Sequence, residues 1–200
     1  MPAEILLSTA YFPSVEYFSL IKNADTILIE QEENYIKQTY RNRCKILTSN
    51  GVLKLSVPVM KGPELKAQLK DIVIDYSKRW QQVHLRAITS AYSRSPYFQF
   101  YSDHLWKILL KNHRFLLDLN DDLLFKCLEF LNINKSILRT SLFQPDLGLA
   151  QDFRYRISPK KDPAITFKPY IQVFGDSEFV TDLSILDLLF NMGPEAGGYI

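Results

Sequence analysis

The alternation of apolar and polar residues at the start of the chain predicts a strand, a helix and a second strand. Residues 4–7 form a short apolar run that is typical of a strand. Pro13 can open a helix whose apolar residues, Tyr17, Leu20 and Ile21, fall on one face. The β-branched run 26–29 is typical of a buried strand. Together these segments predict a βαβ-like unit.

A β-hairpin is predicted next. Two β-prone runs, 43–48 and 52–59, flank the dipeptide Asn50-Gly51. Asn-Gly favours a type I′ turn because both of its central residues need positive φ. The alternating run 69–74 predicts a further strand.

The middle third of the chain is predicted to be helical. Helices are expected over 78–92 and 103–113, and a third after Asn120, which is a good N-cap residue. A strand is expected at 136–143 and a last helix at 183–191.

These elements predict an α/β (or α+β) fold in one domain over residues 1–200, with a βαβ-like N-terminus, a hairpin and a helical middle third. The composition agrees, because 13 Phe, 11 Tyr and 2 Trp stand against only 7 Gly, which excludes a disordered chain. Cys44 and Cys127 lie among apolar neighbours and are expected to be reduced, buried thiols. With three His and no CxxC pair, no metal site is expected. The chain shows neither a signal peptide nor an 18-residue apolar run, so a cytoplasmic location without a transmembrane segment is expected.

The charges are unevenly distributed although the formal net charge is only +2. No acidic residue occurs between Glu33 and Glu64, or between Asp75 and Asp103, whereas both spans contain Lys and Arg. This favours an electropositive cleft for an anionic small molecule, such as a nucleotide, a phosphate or an activated donor. Scattered surface lysines are the alternative. Nucleic acid is not expected, since no binding motif is visible.

Two groups of residues are candidates for binding. Tyr11 lies between the first strand and helix, where an α/β fold places ligands, although it could equally belong to the core. Arg41 and Arg43 would form an anion clamp if this segment is extended, because the side-chain period of a strand is two. Asn42 between them is a further candidate anion-binding residue. An exposed basic strand face is the alternative. Tyr97 belongs to an aromatic cluster within residues 92–101, which could line the same cleft.

Candidates for chemistry lie on the predicted helices. His84 shares an apolar face with Trp80 and is either a general acid/base or a satisfied core histidine. Ser184, Asp187 and Asn191 form one polar stripe on the very apolar last helix. Asp187 is a candidate catalytic residue, and Ser184 and Asn191 are candidate substrate-binding residues. Ser184 could instead be the helix N-cap.

Several segments, in order along most of the chain, resemble the WbqC-like protein family. The matching segments are Tyr11-Phe12-Pro13, Tyr40-Arg41-Asn42-Arg43, Trp80-x-x-x-His84-Leu85, Pro96-Tyr97-Phe98, Asp118-Leu119-Asn120 and Leu183 to Asn191. The chain departs from longer members at Thr9-Ala10, where they have Gln-Pro, and in the segment Asp152 to Lys161.

This resemblance implies a group transferase of bacterial surface-polysaccharide (O-antigen) biosynthesis, with transfer of a glycyl or aminoacyl type; its cofactor is unknown. A non-catalytic binding or scaffold protein of the same pathway is the alternative. A weaker resemblance, of Tyr17 to Ile21 and of Ile157 to Lys161, is to nucleotidylyltransferases, but Tyr17 stands where their signature histidine would be.

Overall fold

The N-terminal part of the chain forms a three-stranded parallel sheet. The computed structural model describes residues 4–60, 67–145, 151–174 and 178–200. Strand β1 (Glu4–Ser8) is joined by helix α1 (Val15–Asn23) to β2 (Thr26–Glu30). The central strand β2 pairs in parallel with β1 on one side and with β5 (Ser136–Arg139) on the other. The predicted βαβ unit is thereby confirmed, and the strand predicted at 136–143 covers only the first half of that range.

The predicted hairpin is formed by β3 (Arg43–Thr48) and β4 (Gly51–Ser56), in antiparallel register with Thr48 opposite Gly51. The predicted type I′ turn is wrong. Of the two residues Asn50 and Gly51, only Gly51 has a positive φ, of 90°. A single positive-φ glycine at the start of the second strand is typical of a type I turn followed by a bulge.

Four helices surround the hairpin and the sheet: α2 (Trp80–Tyr92), α3 (Phe98–Leu109), α4 (Leu116–Phe130) and α5 (Ile185–Met192). Buried residues of all four helices join the strands in one hydrophobic core. Both cysteines are free and buried, as predicted. No helix in the described part of the chain is long and apolar enough to cross a membrane.

Two sequence predictions are wrong. The run 69–74 is not a strand but begins with a 3₁₀ turn, Leu69–Asp71, in which the Ile72 N–H bonds to the Leu69 carbonyl. Asn120 is not an N-cap; it lies inside α4, where its Nδ2 donates to the Arg41 carbonyl at 2.8 Å. At Asn120 a partner far along the chain replaces the local one.

The end of α5 depends on a glycine. Gly193 has a φ of 53°, and a Cβ built there would lie 2.4 Å from Cγ of Tyr97. We expect Gly193→Ala to lower the free energy of unfolding by about 1–3 kcal/mol, through backbone strain and displacement of the Tyr97 ring. Thermal or denaturant unfolding measures this. Gly198→Ala is the control, because a Cβ there meets nothing within 4 Å; equal stabilities of the two variants would contradict the prediction.

Candidate functional site

The loop between β1 and α1 is held by the start of α5. Val15 N–H donates to the Leu183 carbonyl at 3.1 Å, and Ile185 N–H donates to the Pro13 carbonyl at 2.8 Å. Ser184 Oγ donates to the Phe12 carbonyl at 2.9 Å and also accepts the Leu186 N–H, so the predicted N-cap is confirmed. Two segments of the family resemblance, near opposite ends of the chain, therefore meet here.

This loop contains local backbone strain. Phe12 is buried with a φ of 41°, a left-handed conformation that is unfavourable for a bulky side chain. Such residues persist only where their surroundings fix them, at a cost of about 1–3 kcal/mol. The bonds from α5 provide that restraint and fix the adjacent Tyr11.

Asp187 and Asn191 face the interior and not a cleft. Asp187 is fully buried, and its Oδ2 accepts hydrogen bonds from the Tyr170 hydroxyl at 2.7 Å and from Gln172 Nε2 at 2.9 Å. Burial raises the pKa of this carboxyl, although these hydrogen bonds oppose the shift. Asn191 Nδ2 donates to the Asp187 carbonyl one helical turn away. Asp187 thereby ties α5 to the segment at 170–172.

The Arg41 guanidinium is already paired. Its Nε and Nη2 donate to the two Glu33 carboxylate oxygens at 2.8 and 2.6 Å, and Nη2 also donates to Ser8 Oγ. The segment turns at Arg41 and Asn42, so the extended run assumed for the clamp is absent. Asn42 Nδ2 donates to the Val57 carbonyl, and half-buried Arg43 begins β3.

A buried ion network closes the carboxyl edge of the parallel sheet, where open α/β sheets bind their ligands. Arg154 donates from Nη1 to Glu30 Oε2 at 2.9 Å and from Nη2 to Asp152 Oδ2 at 2.6 Å. Burial acts against the charge of Asp152, but the hydrogen bonds from Arg154 hold its pKa below the ordinary value. The cleft beside Arg41 and Arg154 has a cavity volume of only about 10 Å³, far below the roughly 300–1,000 Å³ of usual ligand pockets. The chain therefore fills this position with its own guanidinium group.

His84 is buried among aromatic rings. Its Nδ1 lies 2.9 Å from the Tyr11 hydroxyl, and its ring packs edge-on against Trp80 at 5.2 Å. Burial lowers the pKa of His84 to about 4, so the imidazole is neutral at pH 7. Tyr11 and His84 are brought together, whereas Arg41 and Asp187 have other partners; Tyr97 packs on Gly193 beside Phe100.

A groove between β4 and α2 has the character of a ligand site; we name it the α2 groove. Its cavity volume is about 410 Å³, and it is open to solvent. Its lining residues are Leu53, Lys54, Leu55, Ser56, Pro58, Lys78, Arg79, Trp80, Val83, His84 and Ala87. No acidic side chain is among them. Within the described ranges, Lys54, Lys78 and Arg79 take part in no ion pair.

The N-terminus of α2 adds donors beside this groove. Arg79 is the N-cap residue and provides no side-chain cap, and the first turn of the helix has no acidic residue. In an α-helix the first N–H groups have no acceptor within the helix, and their partial positive charge favours anions. Gln81 and Gln82, which carry two of these N–H groups, line an adjoining cleft together with Lys78, Arg79 and Arg114. Lys78 and Arg79 are repelled by the partial positive charge at this end of the helix. A bound anion would offset that repulsion.

The α2 groove is where the two acid-free spans meet, since Lys54 belongs to the first and Lys78 and Arg79 to the second. The candidate residues named from local motifs did not include these three cations. Charge patterning was the signal that could have selected them. Of the named candidates, His84 lines this groove and Arg41 lines the sheet-edge cleft.

Comparisons with known proteins extend over nearly the whole chain. The chain is 27% identical to the uncharacterized protein Rv1507c of Mycobacterium tuberculosis, over 98% of this chain and 96% of that protein. No solved structure matches the chain. The sequence profile of the WbqC-like protein family matches residues 9–159, which include α1 to β5 and the α2 groove but neither β1 nor α5. The chain belongs to the WbqC-like protein family.

Proposed function

We propose that the protein binds an anionic small molecule in the α2 groove and that this binding serves the assembly of bacterial surface polysaccharide. The pathway is the one that the family resemblance implies. The site is supported by one observation above the others: both acid-free spans contribute cations to a single groove whose described lining has no acidic residue.

The α2 groove is favoured over the sheet edge because its cations are free to bind. A guanidinium that is already bonded to a buried carboxylate, as Arg41 is to Glu33, has little positive charge left for a ligand. Exposed Lys78 and Arg79 at an uncapped helix N-terminus can instead form charge-assisted hydrogen bonds to a phosphate or carboxylate.

The test is a thermal-shift panel of nucleotide sugars, nucleotides, coenzyme A and aminoacyl donors. A ligand at 100 times its Kd stabilises the folded state by about 2.7 kcal/mol, which shifts the melting temperature measurably. We expect Arg79→Gln to weaken binding of the active anion about 10- to 100-fold, because a hydrogen bond to a charged group contributes about 1.5–3 kcal/mol.

Lys37→Gln is the matched control. Lys37 lies in the same acid-free span as Lys54 and is exposed, but it does not line the α2 groove. Absence of any shift, or a shift that persists in the Arg79→Gln variant, would overturn the proposal; the second result would place the ligand elsewhere, such as at the sheet edge.

Group transfer is a second candidate function, favoured by the position of His84 in the lining of the same groove. To accept a proton from an acceptor hydroxyl or amine, the neutral imidazole would use Nε2, because Nδ1 faces the Tyr11 hydroxyl. A hydrogen bond to the Ser56 backbone competes with this role. The burial of His84, which is only 3% exposed, favours binding without chemistry. The variant His84→Gln separates the two functions. Retention of the thermal shift together with loss of product formation, as measured by mass spectrometry, would indicate group transfer.

A further inference from the structure

The α2 groove combines two chemically different parts. One is the cationic end formed by Lys78, Arg79 and the N-terminus of α2. The other is an apolar wall formed by side chains of both β4 and α2: Leu53, Leu55, Pro58, Trp80, Val83 and Ala87.

On the helix side the apolar part runs away from Lys78 and Arg79, while Lys54 lies on the facing strand next to Leu53. Trp80, Val83 and Ala87 are spaced at i, i+3 and i+7, so they form one face over about 10 Å of helix. Val83 is 61% exposed, and Leu53 on the facing strand is 40% exposed. Two large apolar side chains that face solvent across a groove indicate an apolar ligand group between them.

A ligand with hydroxyl groups on every side fits this wall poorly. Polar groups lying against Leu53, Val83 and Ala87 would lose water without gaining hydrogen bonds, which opposes binding. The Trp80 indole N–H is also buried without an acceptor among the described residues.

We infer that the ligand of the α2 groove is a single amphiphilic anion, with a phosphate or carboxylate head at Lys78 and Arg79 and a hydrocarbon portion between Leu53 and Val83. This inference rests on the proposed anion binding and adds the substrate class. A concave groove of this size fits one molecule better than the flat surface of a bilayer.

The test measures the affinity of the intact protein for a series of ethyl, butyl and hexyl phosphates, below their micelle concentrations, by calorimetry. Each buried methylene contributes about 0.8 kcal/mol, which is about fourfold in Kd. We expect the Kd to fall by up to about fourfold for each methylene added along the series. Val83→Ser should reduce the rise, whereas Phe100→Ser, at an exposed apolar position on α3 outside the groove, should leave it unchanged. Arg79→Gln should weaken the whole series by a similar factor.

The possible outcomes separate the two proposals. Equal affinity for all three phosphates would overturn the amphiphile while leaving anion binding intact, and absence of binding by all of them would overturn the amphiphile together with phosphate binding in this groove. Binding to anionic phosphatidylglycerol vesicles without binding to the soluble series would show that the partner is a membrane surface and would overturn the inference.

Discussion

Replacing Arg154 by methionine is expected to lower the free energy of unfolding by about 3–5 kcal/mol. The Arg154 side chain is fully buried and neutralises Glu30, which is fully buried as well. Methionine keeps the apolar stem but leaves the Glu30 carboxylate without its counter-charge. It also removes the hydrogen bonds to the carbonyls of Gln144 and Pro145, so the chain that covers the sheet edge loses its attachment.

Denaturant unfolding measures this loss, and Arg156→Met is the matched control. Arg156 is two residues away and exposed, so its substitution is expected to change the stability by less than about 0.5 kcal/mol. The double variant Arg154→Met/Glu30→Gln should recover part of the loss, since it removes the unpaired charge. If Arg154→Met were as stable as the control, the buried network would contribute nothing to the fold.

The second large effect is a dependence of stability on pH that comes from His84. Its pKa is about 4 in the folded protein, against about 6.5 in an unfolded chain. Between about pH 6.5 and pH 4, His84 is therefore protonated in the unfolded state but neutral in the folded state. The folded state loses about 3 kcal/mol as the pH falls from about 6.5 to 4, and the loss from this group levels off below pH 4.

The measurement compares unfolding free energies at pH 7 and pH 4 for the wild type and for His84→Gln. Other groups titrate in this range; burial raises the pKa of Asp121 to about 6, for example, and their contributions cancel in the difference between the two proteins. We expect the variant to lose about 3 kcal/mol less on acidification. His104→Gln, at an exposed histidine of α3, should behave as the wild type does. Identical pH dependence in all three proteins would mean that His84 is not held neutral by the fold.

Most helices and strands of this fold were predictable because their sequence signals are local. The βαβ unit and the four helices come from apolar periodicity, and Ser184 caps α5 as its sequence motif predicts. The prediction for Asn120 failed because its partner is distant in sequence. Asn120 is of a residue type that favours N-caps, but it lies inside α4, where its side chain donates a hydrogen bond to the Arg41 carbonyl.

The candidate site divides in the same way. The absence of acidic residues from two long spans is visible in the sequence, and it indicated a positive surface. The local sequence pattern favours Arg41 over Lys78 and Arg79 as an anion-binding residue, because Arg41 has another arginine two residues away. Only the fold shows that Glu33 neutralises Arg41 while the cations near α2 are free of ion pairs in the described part of the chain.

By itself the sequence determined the βαβ unit, the hairpin and the approximate positions of the helices, together with which stretches are basic and the family to which the chain is similar. Tertiary structure alone decided which charges are neutralised. Arg154 and Glu30 are 124 positions apart, and a buried ion pair depends on distance in space and on exclusion of water, neither of which a local pattern contains. For the same reason the sheet edge is closed by the protein's own side chains, whereas the α2 groove, formed where two distant acid-free spans meet, is open to solvent.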